Sequence, residues 1–217
     1  MTTDGPVSPT DGTDGGFDGA AAARPFLVVA ALVAVMWAVE LVDLLPHTNL
    51  DRWGIRPRQV RGLPGIVFAP FLHDGFGHLI GNTIPFLVLG CVIAASGLRR
   101  FLEVTVIVGL VAGLGTWLVG PAHTVHIGAS GLVFGYLTYL VTRGVFQRHL
   151  GQIILGLVVL FFYGSILWGL LPRPGISWQG HVFGAIGGVL AAWVIHGRGH
   201  DPDAPDDTSA TPSGGSI

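Results

Sequence analysis

The sequence predicts an all-α polytopic membrane protein, a bundle of six transmembrane helices, and three observations carry that prediction. Half of the 217 residues are hydrophobic and 11% are charged, where soluble domains run at roughly 25% charged. Six apolar stretches reach the length of about 20 residues that a helix needs to cross a hydrocarbon core of roughly 30 Å. In lipid every backbone polar group needs an internal partner, so isolated apolar runs must be helical even where they carry many glycines.

Taken in order, residues 1–24 are rich in Gly, Asp, Thr and Ala, hold one basic residue, Arg24, and show no apolar periodicity. They read as a disordered acidic tail. A secretory signal would open with positive charge and a short apolar core, which this stretch lacks. The membrane domain then runs over 25–197, with spans expected at 25–45, 78–97, 101–119, 130–146, 152–171 and 180–196. Residues 198–217, with Asp201, Asp203, Asp206 and Asp207, form a second acidic tail.

An even number of spans puts both tails on one side of the membrane. Arg24, Arg99, Arg100, Arg143, Arg148 and Arg198 gather on that side, against Arg52, Arg56, Arg58, Arg61 and Arg173 on the other. The first six lie beside span ends, whereas four of the others sit in a long first loop, 46–77, expected to be folded. The positive-inside rule therefore favours cytoplasmic tails in the cell membrane. Trp53, Trp117, Trp168 and Trp178 near span ends read as aromatic-belt anchors, and the arginines of the first loop as surface charge or lipid headgroup contacts.

Composition also excludes functions. A formal net charge of -2 offers no basic surface to nucleic acid. The one cysteine, Cys91, permits no intramolecular disulfide and no thiolate metal site; inside an apolar run it reads as a small buried hydrophobe.

Polar groups at the start of transmembrane helices are costly to hold, and three of the spans open with them. The second opens with His78 and Asn82, four residues apart and so on one helical face. The fourth opens with Gly128-Ala129-Ser130-Gly131 and the sixth with Trp178-Gln179-Gly180-His181. Alternate spans point the same way, so the four side chains can meet at one depth. Ser130 is then a candidate nucleophile and His181 its general base, which requires contact at about 2.6–3.2 Å. Such closeness needs small residues, and Gly131 with Gly135, and Gly184 with Gly188, form small-xxx-small pairs beside them. His78, Asn82 and the backbone N–H of Ser130 could donate to an oxyanion. No acid lies near the sixth span, so a Ser–His dyad is expected, with the imidazole held by packing. Phe134, one turn below Ser130, is placed to support that ring.

These residues resemble the rhomboid family of intramembrane serine proteases, through His73-x4-His78-Leu79-x2-Asn82, Gly128-Ala129-Ser130-Gly131 and His181-x2-Gly184-x3-Gly188. The resemblance implies a six-helix rhomboid-like bundle with a water-filled cavity open to the outer face. Ser130 would be nucleophile, His181 base and then acid, His78 and Asn82 oxyanion partners, and His73 an anchor for the first loop. The substrates would be transmembrane proteins in the bilayer, cut near its outer face, with no cofactor or metal. The family's Trp-Arg pair in the first loop is absent, and Arg52-Trp53 stands there instead.

Other readings of the same residues are a rhomboid-like protein that binds transmembrane clients without cutting them, and a His-lined metal-binding or transport protein. His73, His123 and His126 lie in loops on one face, where solvated or headgroup-facing roles serve equally well. Pro172, Pro174 and Gly175 make the loop 172–179 and the fifth span an expected gate.

Overall fold

The structure, a computed structural model, describes residues 19–173 and 175–197. All of its regular elements among these residues are helical. In chain order the α-helices are α1 (Gly19–Asp43), α2 (Gly65–Phe68), α3 (Phe76–Ala94), α4 (Leu98–Val119), α5 (Ser130–Gln147), α6 (Leu150–Tyr163) and α7 (Trp178–His196). Six of them account for the six expected spans, and α2 is a single turn within the first loop. The two expected tails fall largely outside the described residues, but α1 already begins at Gly19, six residues ahead of the apolar run. Ala20, Ala21, Ala22 and Ala23 explain the extension, since alanine is the best helix former and contributes little to an apolar pattern.

Among the described residues, five elements are long and apolar enough to cross a membrane: α1, α3, α4, α7 and the segment Leu150–Leu170. The exception is α5, which packs against α3, α4, α6 and α7. Its buried residues include Phe134, Tyr136, Tyr139 and Arg143. Its surroundings are protein rather than lipid, so it can carry polar groups that partners satisfy: the Tyr136 hydroxyl meets Thr105 Oγ1 at 2.8 Å, and Thr138 Oγ1 donates to the Ala185 carbonyl at 2.8 Å. At the opposite extreme, α6 buries only Gly156 and Val159 and turns Phe161 and Phe162 outward, the pattern of a lipid-facing helix.

The fifth span is not one continuous α-helix. It changes at Gly164 to a 3-10 helix, Gly164–Leu170, where Gly164, Ser165 and Gly169 weaken the α-helix. Between α5 and α7 the approach is backbone to backbone. A Cβ on Gly184 would run into the Gly131 carbonyl, and one on Gly188 into the Gly135 carbonyl.

The first loop is folded, with 3-10 turns at Leu50–Trp53, Val60–Gly62 and Ala69–Phe71 around α2. It is stitched to the rest of the bundle. Arg58, at φ 57°, sends Nη1 to the carbonyls of Leu118 (3.1 Å) and Gly120 (2.8 Å), so it caps the C-terminus of α4 instead of serving a headgroup. Trp117 Nε1 returns a bond to the Gln59 carbonyl at 2.9 Å. An isolated antiparallel bridge joins Ile55 to His126.

Candidate active site

Ser130 is the first residue of α5, after Gly128 at φ 106° and Ala129. That positive φ suits glycine, and the site needs glycine for a second reason. A Cβ on Gly128 would lie 2.6 Å from His78 Nε2 and 3.5 Å from Asn82 Nδ2, so both side chains converge on the residue two before the serine.

His181 comes from the first turn of α7 and is buried. Its Nε2 lies 2.8 Å from Ser130 Oγ. Its Nδ1 lies 2.7 Å from the Gly169 carbonyl oxygen. A carbonyl can only accept, so Nδ1 carries the proton and Nε2 presents a lone pair to the serine hydroxyl, the tautomer a general base requires. The ring lies flat on Phe134, with centroids 4.3 Å apart and planes 8° apart. The imidazole is thus held by a stack and a backbone carbonyl, with no carboxylate involved.

The contact with Gly169 was not visible in the sequence. Nothing marks a backbone carbonyl twelve residues upstream of the histidine, and it reaches His181 because the last turns of the fifth span are 3-10. Glycine is needed there: a Cβ would lie 2.9 Å from Phe134 Cζ and 3.2 Å from His181 Nδ1.

On the opposite wall, the Asp74 backbone N–H points to His78 Nδ1 at a long 3.5 Å, which leaves Nε2 as the protonated nitrogen facing Gly128. Asn82 is buried and spends one amide hydrogen on the His78 carbonyl at 3.3 Å, leaving its second free. The first amides of a helix have no intrahelical acceptor, and that of Ser130 is one of them. His73 is buried and sits edge-on to His78, centroids 5.0 Å apart. Burial, and then His78, push its pKa down to about 4.

Ser130, His181, His78 and Asn82 all line one cavity of about 960 Å³, together with Asp51, Asp74, His126, Arg173 and Ser177. His126, for which a solvated role was equally acceptable, is buried and bonded on both ring nitrogens, to Thr124 and to Ser177. His123 stays exposed at φ 63°. The arrangement provides a hydroxyl, a neutral base of the correct tautomer and a wall of donors around open space, the parts of an acyl-transfer site.

The family model described as the Rhomboid domain matches residues 60–198. The Mycobacterium tuberculosis (strain ATCC 25618 / H37Rv) protein Rv1337 is 48% identical over 176 residues, covering 77% of this chain and 73% of its own. The Mycobacterium leprae (strain TN) protein ML1171 is 46% identical over 178 residues, covering 78% and 70%. The "Putative rhomboid protease YdcA" of Bacillus subtilis (strain 168) is 29% identical over 174 residues, covering 76% and 85%.

Proposed function

The chain belongs to the rhomboid family, and from that premise we propose that it is an intramembrane serine endopeptidase that cuts transmembrane proteins. The observation that carries the reading is the 2.8 Å contact between Ser130 Oγ and His181 Nε2, in the tautomer that the Gly169 carbonyl fixes.

In the reaction, the Ser130 hydroxyl passes its proton to His181 Nε2 as Oγ attacks the scissile carbonyl. The imidazolium that forms is stabilised by its Nδ1–H bond to Gly169 and by the face of Phe134. His78 Nε2–H, the free amide hydrogen of Asn82 and the backbone N–H of Ser130 donate to the oxyanion, and each such donor contributes roughly 2.7–4 kcal/mol of transition-state stabilisation. His181 then gives its proton to the leaving amine. A water molecule, deprotonated by the same nitrogen, releases the acyl-enzyme. None of these steps calls for a cofactor.

A helical substrate hides its carbonyls in its own hydrogen bonds, so the segment cut must open locally. In this reading the positive-inside rule puts the protein in the cell membrane with cytoplasmic tails, and its cavity opens to the outer side. The test is cleavage of a panel of single-pass substrates by purified protein in liposomes, with Ser130→Ala and His181→Ala as controls of matched thermal stability. Cleavage by the wild type alone supports the reading. Absence of cleavage across the panel, or cleavage by Ser130→Ala, rejects it in favour of client binding without proteolysis.

A further inference from the structure

The end of the bundle away from the cavity holds a buried cation with no anion beside it. Arg143 stands about 20 Å along the α5 axis from Ser130 and is 3% exposed. Its Nη1 donates to Ser96 Oγ at 3.3 Å, its Cζ lies 5.8 Å from the centroid of the Tyr139 ring, and its Nε is buried with no acceptor. A hydroxyl and an aromatic face orient a guanidinium without neutralising it, and a buried charge is costly unless it is paired. Among the described residues no carboxylate pairs with Arg143. Glu103 is the one carboxylate described at this end, and it is shared by Arg99 at 2.9 Å and Arg100 at 3.8 Å.

The helix that begins beside Ser96 adds charge of the same sign. α4 starts at Leu98 with no side-chain cap and no acid in its first turn. The Phe101 N–H bonds to the Gly97 carbonyl at 3.1 Å, and the helix amides before it have no intrahelical acceptor. A helix N-terminus carries about half a positive charge and favours an acid, yet Arg99 and Arg100 occupy it here. The Arg100 side chain is 19% exposed and near enough to repel Arg143. Ser96 is exposed, so the Nη1 end of the Arg143 guanidinium is aimed at the same edge of the protein.

A phosphate group meets these needs together, because its oxygens accept from a guanidinium fork and from free helix amides at once. The surroundings indicate its source. Leu102, Val106, Leu110 and Leu114 form an exposed row along α4, each one turn from the next. An acyl chain can lie on that row beneath a headgroup held at the start of the helix. Basic pockets between spans suit anionic headgroups, whereas a zwitterionic one would bring its own ammonium towards Arg99 and Arg100. We propose that Arg100, Arg143 and the N-terminus of α4 bind the phosphate of an anionic phospholipid, in the leaflet away from the cavity.

The site is remote from Ser130, and its test uses no proteolysis. Native mass spectrometry of the full chain in a neutral detergent, titrated with phosphatidylglycerol or with phosphatidylcholine of the same acyl chains, reads the affinity for the first lipid bound. Phosphatidylglycerol should bind at least about tenfold tighter, the worth of one charge-assisted hydrogen bond. Arg143→Gln and Arg100→Gln should each remove most of that preference. Arg143→Lys should keep part of it, since lysine retains the charge and loses the fork. Arg52→Gln, at an exposed arginine of the first loop, should keep it in full. Equal affinity for the two lipids in the wild type, an unchanged preference in both glutamine variants at this end, or an equal loss in Arg52→Gln overturns the proposal. If Arg143→Gln does not fold, Arg100→Gln decides alone. Displacement of bound phosphatidylglycerol by inorganic phosphate at the same concentration also overturns it, because the site would then be one for the free ion.

Discussion

His181 Nδ1 lies 2.7 Å from the carbonyl oxygen of Gly169, so the tautomer of the proposed base is set by the backbone of the fifth span. Gly169→Val puts bulk against Phe134 Cζ and His181 Nδ1 and displaces the ring. A misplacement of about 1 Å costs on the order of 10²-fold in rate, and that loss is expected in kcat with KM little changed. Nitrogen NMR of the wild type should show His181 protonated at Nδ1; protonation at Nε2 contradicts this assignment.

The stack of Phe134 on His181 predicts a smaller effect. Aromatic pairs contribute about 0.5–1.5 kcal/mol, so Phe134→Leu should lower kcat up to about tenfold, while Phe134→Tyr should retain activity. Equal loss in both variants would mean that the ring's size matters and its face does not.

Packing between α5 and α7 predicts stability. Gly184→Val drives a side chain into the Gly131 carbonyl and should destabilise by about 3 kcal/mol or more, read as a lower unfolding midpoint in detergent. Gly77, in the first turn of α3, has nothing within 4 Å of its would-be Cβ. Gly77→Ala should leave the midpoint unchanged or raise it, because alanine favours helix by about 1 kcal/mol.

His73 predicts a pH dependence. Its pKa falls from 6.5 to about 4 on folding, so between those values the unfolded chain binds a proton that the folded one does not. Stability is then lost as pH falls from 6.5 towards 4, by roughly 3 kcal/mol for this group. Asp51 acts with the opposite sign: burial first, and then Asp43, Asp74 and Glu40, raise its pKa to about 6, which favours the folded state as pH falls through that value. The measurement is accordingly the difference between wild type and His73→Phe: as pH drops from 7 to 4, the melting temperature of the wild type should fall relative to that of the variant. Parallel curves would contradict the shift.

Much of the fold was legible because a bilayer leaves so few options. Apolar runs of spanning length must be helices, and α3, α4, α6 and α7 begin or end within a few residues of those runs. The start of α1 was missed because Ala20 to Ala23 add helix propensity without adding an apolar pattern. The change to 3-10 at Gly164 was missed because composition cannot distinguish hydrogen-bond registers. Side chains in the site were legible where their chemistry is costly in a membrane, as with Ser130, His181, His78 and Asn82. Gly169 was not, since a backbone carbonyl has no letter in the sequence. Ser177 and His126 were not, since each is unremarkable until folding sets one against the other.

The central claim is that Ser130 is a nucleophile activated by His181. It is tested most directly by treating the purified protein in liposomes with a fluorophosphonate and locating the adduct by mass spectrometry, with substrate cleavage followed in the same samples. The account predicts one adduct, on Ser130, absent in His181→Ala and accompanied by loss of cleavage. Cleavage that persists with Ser130 fully modified, or a wild type that cleaves while Ser130 stays unmodified and another residue carries the adduct, would contradict it.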